Sequence, residues 1–339
     1  MRVSDQTAHL GWKSKPLTTA ILFLIFNRPD ETQRVFEEIR RARPTRLFVA
    51  ADGPRRAKRG EAELCQATRE IAKRVDWECE VRTHFQAKNL GLKLAVSSSI
   101  NWFFDHVEAG IILEDDCLPS QSFFWFCQEL LDRYGEDERI MQISGSNYLL
   151  GARVSDASYY FSRLNDIWGW ATWKRAWSLF DLKMESFPQF VAQGQLENYL
   201  DDREMQAWLM TYLEEAYGVA GSAGLWSTQW TYAMCAHNGL TIVPSVNLVE
   251  NIGLSGAATH REDSYALYTQ VGRNEMGEIV HPLFILPSKR ADRLRYEMIQ
   301  KTDPRASKRN RFRVRQWARK HVPSRYHDAL KALERRVRR

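Results

Sequence analysis

An α/β domain with a mostly parallel central sheet flanked by helices is the fold class this sequence predicts. Three observations carry it. Strand-length apolar runs alternate with helical stretches, each run ends in a polar turn, and the longest run, Ile21 to Phe26, falls far short of the roughly 18 to 20 apolar residues of a membrane span. With 339 residues, 44% of them hydrophobic and 27% charged, the chain can fill a large core, which excludes disordered and collagen-like classes.

Ile21-Leu22-Phe23-Leu24-Ile25-Phe26 is continuously apolar and stops at Asn27-Arg28-Pro29-Asp30, as a strand buried on both faces does. A helix follows, capped by Asp30, with Glu31 favoured in its first turn by the helix dipole and Val35, Phe36 and Ile39 on one face. Arg46 to Ala51 reads as the second strand, closed by Asp52-Gly53-Pro54 and a basic loop from Arg55 to Gly60. Glu61 to Val75 is helical by composition, and Trp77, Cys79 and Val81 alternate with charged residues as in a half-exposed strand. Asn89-Leu90-Gly91 leads into a helix over Lys93 to His106. Gly110 opens the strand Ile111-Ile112-Leu113, which ends at Glu114-Asp115-Asp116. A helix from Ser122 to Tyr134 and a strand from Ile140 to Ser144 complete the series.

The second part of the chain has a different texture. Seven of the twelve tryptophans lie between Tyr159 and Trp230, with no linker before them, so residues 17–150 and 151–285 read as two halves of one domain, followed by a basic tail over 286–339. Trp170, Trp173 and Trp177 have the i, i+3, i+7 spacing of a buried helical stripe. Trp168, ahead of Gly169, is the better platform for the apolar face of a sugar. Asn247 to His260 is Gly- and Asn-rich, as an active-site loop is.

The formal net charge of +6 conceals two regions. Residues 305–339 hold fourteen Lys and Arg against Asp328 and Glu334, a net of +12, and the rest of the chain is −6. Leu330, Leu333 and Val337 in that tail make a basic amphipathic pattern suited to an anionic membrane surface, with RNA binding the rival and a solvated tail the plain alternative. Nucleic acid is not the expected partner. The five cysteines contain no C-x-x-C pair, and Met1 to Lys15 has no apolar core before Pro16, so a reducing cytoplasmic location is expected, peripheral at the inner membrane face if the tail binds there.

Mostly parallel sheets bind ligands beyond the carboxyl ends of their strands, here Asn27/Arg28, Asp52/Gly53 and Glu114–Asp116. No G-x-G-x-x-G follows the first strand and no P-loop motif occurs, which argues against dinucleotide oxidoreductases and P-loop NTPases. About 0.6 acidic triplets are expected by chance in such a composition. The chain supplies its own control: Glu136-Asp137-Glu138 lies in a turn, where solvated charge is ordinary. Three carboxylates at a buried strand end repel one another unless a cation or proton compensates, so a hard divalent cation is the chemical reading of Glu114–Asp116. Asp52 has the competing reading of an Asx turn, Arg28 that of a partner for Asp30, and Lys93 that of a surface helix residue.

The ordered series Phe26-Asn27-Arg28-Pro29, Asp52-Gly53-Pro54, Asn89-Leu90-Gly91, Gly110 to Asp116 and Ile167 to Trp173 closely resembles bacterial GT-A glycosyltransferase-like proteins described as haemolysin-associated. It is more distantly similar to the N-acetylglucosaminyltransferase I family. The resemblance spans residues 17–262. It implies a GT-A fold and a metal-dependent hexosyl- or N-acetylhexosaminyl-transferase using a nucleotide-diphosphate donor, a UDP-sugar, to modify a polysaccharide, glycolipid or other glycoconjugate with inversion. By the same resemblance, Asn27 and Arg28 meet the nucleotide or its phosphates, Asp52 the base or ribose, and Lys93 the diphosphate region. Asp116 binds Mn²⁺ or Mg²⁺, Glu114 and Asp115 order the metal shell and the ribose or donor sugar, and His260 is a late metal or phosphate ligand.

One departure matters. Where the N-acetylglucosaminyltransferase I family has a Trp-Asp-Asp-Trp segment supplying the general base, this chain has Trp226-Ser227-Thr228-Gln229-Trp230, without a carboxylate. A hydroxyl or amide is no base near neutral pH. Asp115, Asp166 and Glu250 are the remaining carboxylates near the motifs, Asp166 with the alternative of capping the turn before Trp168. The second reading is therefore a nucleotide-sugar-binding protein that lost its base, and the third a nucleotidyltransferase, for which a Gly-rich basic phosphate loop is missing after the first strand.

Overall fold

A computed structural model of the chain describes residues 16–218, 225–254 and 271–302. The strands are β1 (Ala20–Ile25), β2 (Arg46–Ala51), β3 (Glu80–Phe85), β4 (Ala109–Glu114), β5 (Cys117–Pro119), β6 (Ile140–Ser144), β7 (Tyr159–Ser162), β8 (Trp170–Trp173), β9 (Leu240–Pro244) and β10 (Val249–Asn251). The helices are α1 (Pro29–Ala42), α2 (Glu61–Ala72), α3 (Leu92–Phe104), α4 (Gln121–Arg133), α5 (Lys174–Trp177), α6 (Phe187–Ala192), α7 (Leu196–Tyr199), α8 (Arg203–Gly218), α9 (Ser227–Ala236) and α10 (Lys289–Thr302).

Eight strands form one sheet in the order β3-β2-β1-β4-β8-β6-β9-β7, and β5 pairs antiparallel with β10 in a small second sheet. The run β3-β2-β1-β4 is parallel, β8 is antiparallel to both neighbours, β6 and β9 are parallel, and β7 closes the far edge antiparallel. This is the mostly parallel, helix-flanked sheet that the alternation of strands and helices predicts. The first half of the chain supplies β6, which sits between β8 and β9 of the second half, so the two halves share one sheet. No helix among the described residues is long and apolar enough to cross a membrane.

Both faces of β1 are covered, which explains its unbroken apolar sequence. Ile21, Phe23 and Ile25 pack with Val35, Phe36 and Ile39 of α1 and Phe123, Phe126 and Leu130 of α4. Ala20, Leu22 and Leu24 pack on the other face with Val96, Ile100 and Phe103 of α3 and Trp230 and Ala233 of α9. Each such large side chain is worth about 1.5–3 kcal/mol on burial. A third cluster, built by α6 to α8 around Met184, Leu209 and Leu213, packs on Tyr232 and Tyr296.

Three expectations change. Trp170 and Trp173 lie in a strand, not on a helix: a spacing of three on a period-2 element sends Trp170 into the α3/α9 face and Trp173 into the α4 face. Trp177 is helical and all three are core, as expected. Asp30 does not cap α1, because Pro29 already occupies the first turn and the capping position falls to Arg28, whose side chain makes no cap bond. β3 starts at Glu80, since Trp77 is buried with its indole N–H donated to the Pro44 carbonyl at 2.9 Å. α10 packs on the body of the fold, burying Ala291, Asp292 and Tyr296.

Candidate active site at the strand ends

β4 carries its acids to the carboxyl end of the parallel strands, beside β1. The Phe26 backbone N–H donates to Asp115 Oδ2 at 3.0 Å, which fixes that carboxylate against the end of β1. Arg28 Nη1 donates to Asp116 Oδ2 at 2.5 Å and lies 3.6 Å from Asp115 Oδ1. Arg28 therefore pairs with the triplet rather than with Asp30. Burial alone would lower the Arg28 pKa, but Asp115 and Asp116 outweigh it and raise it. Withdrawal from water, then repulsion from Asp116 and Asp115, pushes Glu114 up to about 8. The same two effects, burial and Asp116, push Asp115 up to about 7. One guanidinium faces three carboxylates, so a proton or a further cation must compensate the rest.

The second half of the chain closes over this cluster. β10 lies antiparallel on β5, directly after the triplet, with Glu250 opposite Leu118 and Asn251 opposite Cys117. The Ile252 N–H donates to the Asp116 carbonyl at 2.9 Å. At Gly253 a Cβ would come within 2.4 Å of Asp116 Oδ2 and 2.9 Å of Arg28 Nη1, so only glycine allows the chain this close to the pair.

Asp52 accepts four hydrogen bonds: Gly53 N–H at 2.8 Å and Leu90 N–H at 2.9 Å on Oδ1, Asn89 Nδ2 at 2.8 Å and Gly91 N–H at 3.1 Å on Oδ2. Its own-turn bond is the smaller part; the rest ties the end of β2 to the Asn89-Leu90-Gly91 entry of α3. Gly53 makes that approach possible, since a Cβ there would sit 2.4 Å from the Lys88 carbonyl carbon. Lys93, in the first turn of α3, is not a surface residue but buried, and Gln229 is its partner: with the Gln229 amide oriented to satisfy both its ends, Oε1 accepts from Lys93 Nζ at 3.0 Å and the amide nitrogen donates to the Leu225 carbonyl at 2.5 Å. The segment Trp226–Trp230 thus starts α9 and spends its amide on the core.

Asn27 donates to Glu61 Oε1 at 2.9 Å, and Glu61 also accepts from the Arg55 backbone at 2.7 Å and pairs with its guanidinium, which holds Glu61 down to about 2. Asp166 does not stand free as a turn cap. Its Oδ1 accepts from Arg295 Nη2 of α10 at 2.8 Å, and its carbonyl accepts from Gln142 Nε2 at 2.5 Å, while Gln142 Oε1 accepts the Trp230 indole N–H at 2.7 Å. Trp168 is half-buried, its ring edge-to-face with Tyr148 at 6.2 Å and its carbonyl accepting from Ser146 Oγ at 3.0 Å. His260 lies outside the described residues. So Arg28, Asp115 and Asp116 form one cluster adjoined by Glu114, Asn27 and Asp52 tie the neighbouring loops, and Asp166 belongs to a separate network reaching α10.

Glu61, Gly253, Gln142 and Arg295 were not foreseen. Glu61 had a signal, an acid in a helix first turn after a basic loop; the other three had none, because their partners lie 24 to 225 residues away along the chain. Among the described residues no group of three or more His, Cys, Asp and Glu side chains converges into a ready-made metal cage.

No protein-family model matches the sequence, and no curated protein matches it. Solved structures similar to it include HddC from Yersinia pseudotuberculosis, 9% identical, covering 51% of this chain and 87% of that one with a TM-score of 0.30. The inositol-1-phosphate CTP transferase from T. maritima is 12% identical, covering 77% and 98% with a TM-score of 0.36. The apo form of mouse xyloside xylosyltransferase 1 is 12% identical, covering 78% and 96% with a TM-score of 0.34. The architecture itself rests on the strand order and directions described above.

Proposed function

We propose that this chain is a metal-dependent glycosyltransferase that moves a hexosyl or N-acetylhexosaminyl group from a nucleotide-diphosphate donor, a UDP-sugar, to a polysaccharide or glycoconjugate acceptor with inversion. The observation that carries the reading is the pairing of Arg28 with Asp115 and Asp116, directly after β4 at the carboxyl ends of the parallel strands. The donor set is all hard oxygen with excess negative charge, which suits Mn²⁺ or Mg²⁺ held by one or two carboxylates and substrate phosphates rather than by a protein cage. Asp116 would hold the cation, with Glu114 and Asp115 ordering the shell around it and the ribose or donor sugar. Bound there, the cation would neutralise charge on the departing diphosphate.

The chain's own groups divide the remaining work. Arg28, more than two-fifths exposed, leans on Asp116 and can share its guanidinium with a phosphate. Asp52 holds the entry of α3 in place and would meet the base or ribose, Lys93 would reach the diphosphate region only by leaving Gln229, and Asn27 fixes the neighbouring loop through Glu61. Trp168 offers an aromatic face to a sugar, and His260 a late phosphate or metal ligand. Asp166, held by Arg295, serves as the base that takes the acceptor proton, with Asp115 the nearer alternative. Cytoplasmic residence, peripheral at the membrane, belongs to the same proposal.

A second reading has one observation in its favour. The Trp226–Trp230 segment lacks a carboxylate and Gln229 is fully used by Lys93 and backbone carbonyls, so a chain that binds a nucleotide sugar without transferring it would look the same there. Donor turnover separates the two. Incubation with UDP-sugars and Mn²⁺ should release UDP, chelation should stop it, and Asp166→Asn should suppress release while leaving UDP binding intact. UDP binding without release from any donor and acceptor would support the second reading.

A further inference from the structure

Residues 280–288 run beside β7, the edge strand of the sheet. The Ser158 N–H donates to the Val280 carbonyl at 2.8 Å, the Ser288 N–H to the Phe161 carbonyl at 2.8 Å, and Phe161 bridges to Pro287. Between these ties Ile285 turns inward against the core, whereas Leu283, Phe284 and Leu286 are 86%, 68% and 69% exposed and Val280 is 56% exposed. Scattered exposed leucines need no explanation, but four large apolar side chains within seven residues, beside an open cleft of about 500 Å³, form a patch. Asp156, which lines that cleft, pairs with Arg153 at 3.0 Å.

What covers the patch is indicated by the chain that follows it. α10 starts at Lys289, immediately beyond, and leads into residues 305–339 with their net charge of +12. An exposed apolar loop in a chain that also carries so concentrated a positive charge has the two parts of a stable peripheral anchor, a hydrophobic insertion and an electrostatic one, where either alone binds weakly and reversibly. We infer that Leu283, Phe284 and Leu286 insert into the interface of an anionic bilayer whose headgroups the C-terminal basic segment holds. Four strand steps separate β7 from β4, so the acidic cluster would stand roughly 20 Å from that edge. If the transferase reading holds, a lipid-linked acceptor presented at the bilayer surface lies within reach; the anchor itself does not depend on that reading.

The test is co-sedimentation of the full-length protein with phosphatidylcholine vesicles and with vesicles of phosphatidylcholine and phosphatidylglycerol. Wild type should partition to the anionic vesicles and retain part of that binding in 0.5 M salt, since buried apolar surface is not screened (about 3 Å Debye length at 1 M against about 10 Å at 0.1 M). The triple variant Leu283→Ser/Phe284→Ser/Leu286→Ser should lose at least about tenfold in partition coefficient and all of the salt-resistant part, with unchanged melting and, where donor turnover is measurable, unchanged turnover in solution. Equal partition of wild type and the triple variant would overturn the inference. So would a wild-type dimer that the triple variant converts to monomer without any change in vesicle binding, because the patch would then be covered by a second copy.

Discussion

Two acidic triplets of the same chain behave oppositely. Glu114-Asp115-Asp116 ends a strand buried on both faces, and its burial and mutual repulsion raise Glu114 to about 8 and Asp115 to about 7. Glu136-Asp137-Glu138 lies between α4 and β6 with Glu136 and Glu138 exposed, and Asp137 is held below its ordinary range by Arg139, whose Nη2 donates at 2.6 Å. Placement, not composition, sets the charge balance of a carboxylate cluster: in the turn, water and one arginine suffice, whereas at the strand end Arg28 pairs with Asp115 and Asp116 and Glu114 adds a third buried acid.

Substitutions at the two triplets should differ most at Asp116. Asp116→Ala should weaken Mn²⁺-dependent UDP binding by 100-fold or more, about 3 kcal/mol, as expected when a partly buried charge loses its counter-ion site; Asp137→Ala should leave it unchanged, both read by calorimetric titration. Arg28→Ala should cost about 10- to 100-fold in UDP affinity, the worth of a charge-assisted hydrogen bond to a phosphate, and a UDP titration at equal Mn²⁺ would expose the error if affinity rose instead. Gly253→Ala puts a methyl 2.4 Å from Asp116 Oδ2 and should cost about tenfold in cation affinity with little change in melting.

The pH dependence of stability sharpens the contrast. The folded-state pKa values of Glu114 and Asp115 lie above their ordinary 4.5 and 3.8, so the folded protein binds more protons than the unfolded chain and its cation-free stability falls as pH rises from about 4 to about 8. Asp137 has the opposite sign: its contribution is present above its ordinary pKa and is lost as pH falls through the lowered value. Thermal melts of Glu114→Gln/Asp115→Asn should therefore lose a few degrees of the decline between pH 5 and pH 8, and Mn²⁺ should restore the wild type at pH 8. Exposed Glu136→Ala and Glu138→Ala should stay within about 0.5 kcal/mol of wild type at every pH.

How much of this could be read from residues alone follows from where the information sits. β1, β2, β4 and β6 were legible because two-sided burial makes a strand continuously apolar, and the polar turns after them marked the site's position. β8 was not, because Trp170, Trp173 and Trp177 fit a helical spacing as well as a strand packed on both faces followed by one helical turn. β5 and β10 are three residues each, too short to show a period, and β10 exists by pairing across 134 residues, as Asn251 opposite Cys117. The acids of the site were visible for the same reason as β4. Their partners Gly253 and Arg295, and the burial of Lys93 against Gln229, depend on contacts between distant segments that no local pattern records.

The central claim is that Asp116 anchors a divalent cation for a nucleotide diphosphate at the end of β4. Titration of UDP into the full-length protein, with and without Mn²⁺, tests it on wild type and on Asp116→Ala of equal melting temperature. The account predicts cation-dependent binding in wild type that the variant loses by two orders of magnitude, roughly 3 kcal/mol. Binding of UDP and Mn²⁺ by Asp116→Ala as tight as by wild type would contradict it.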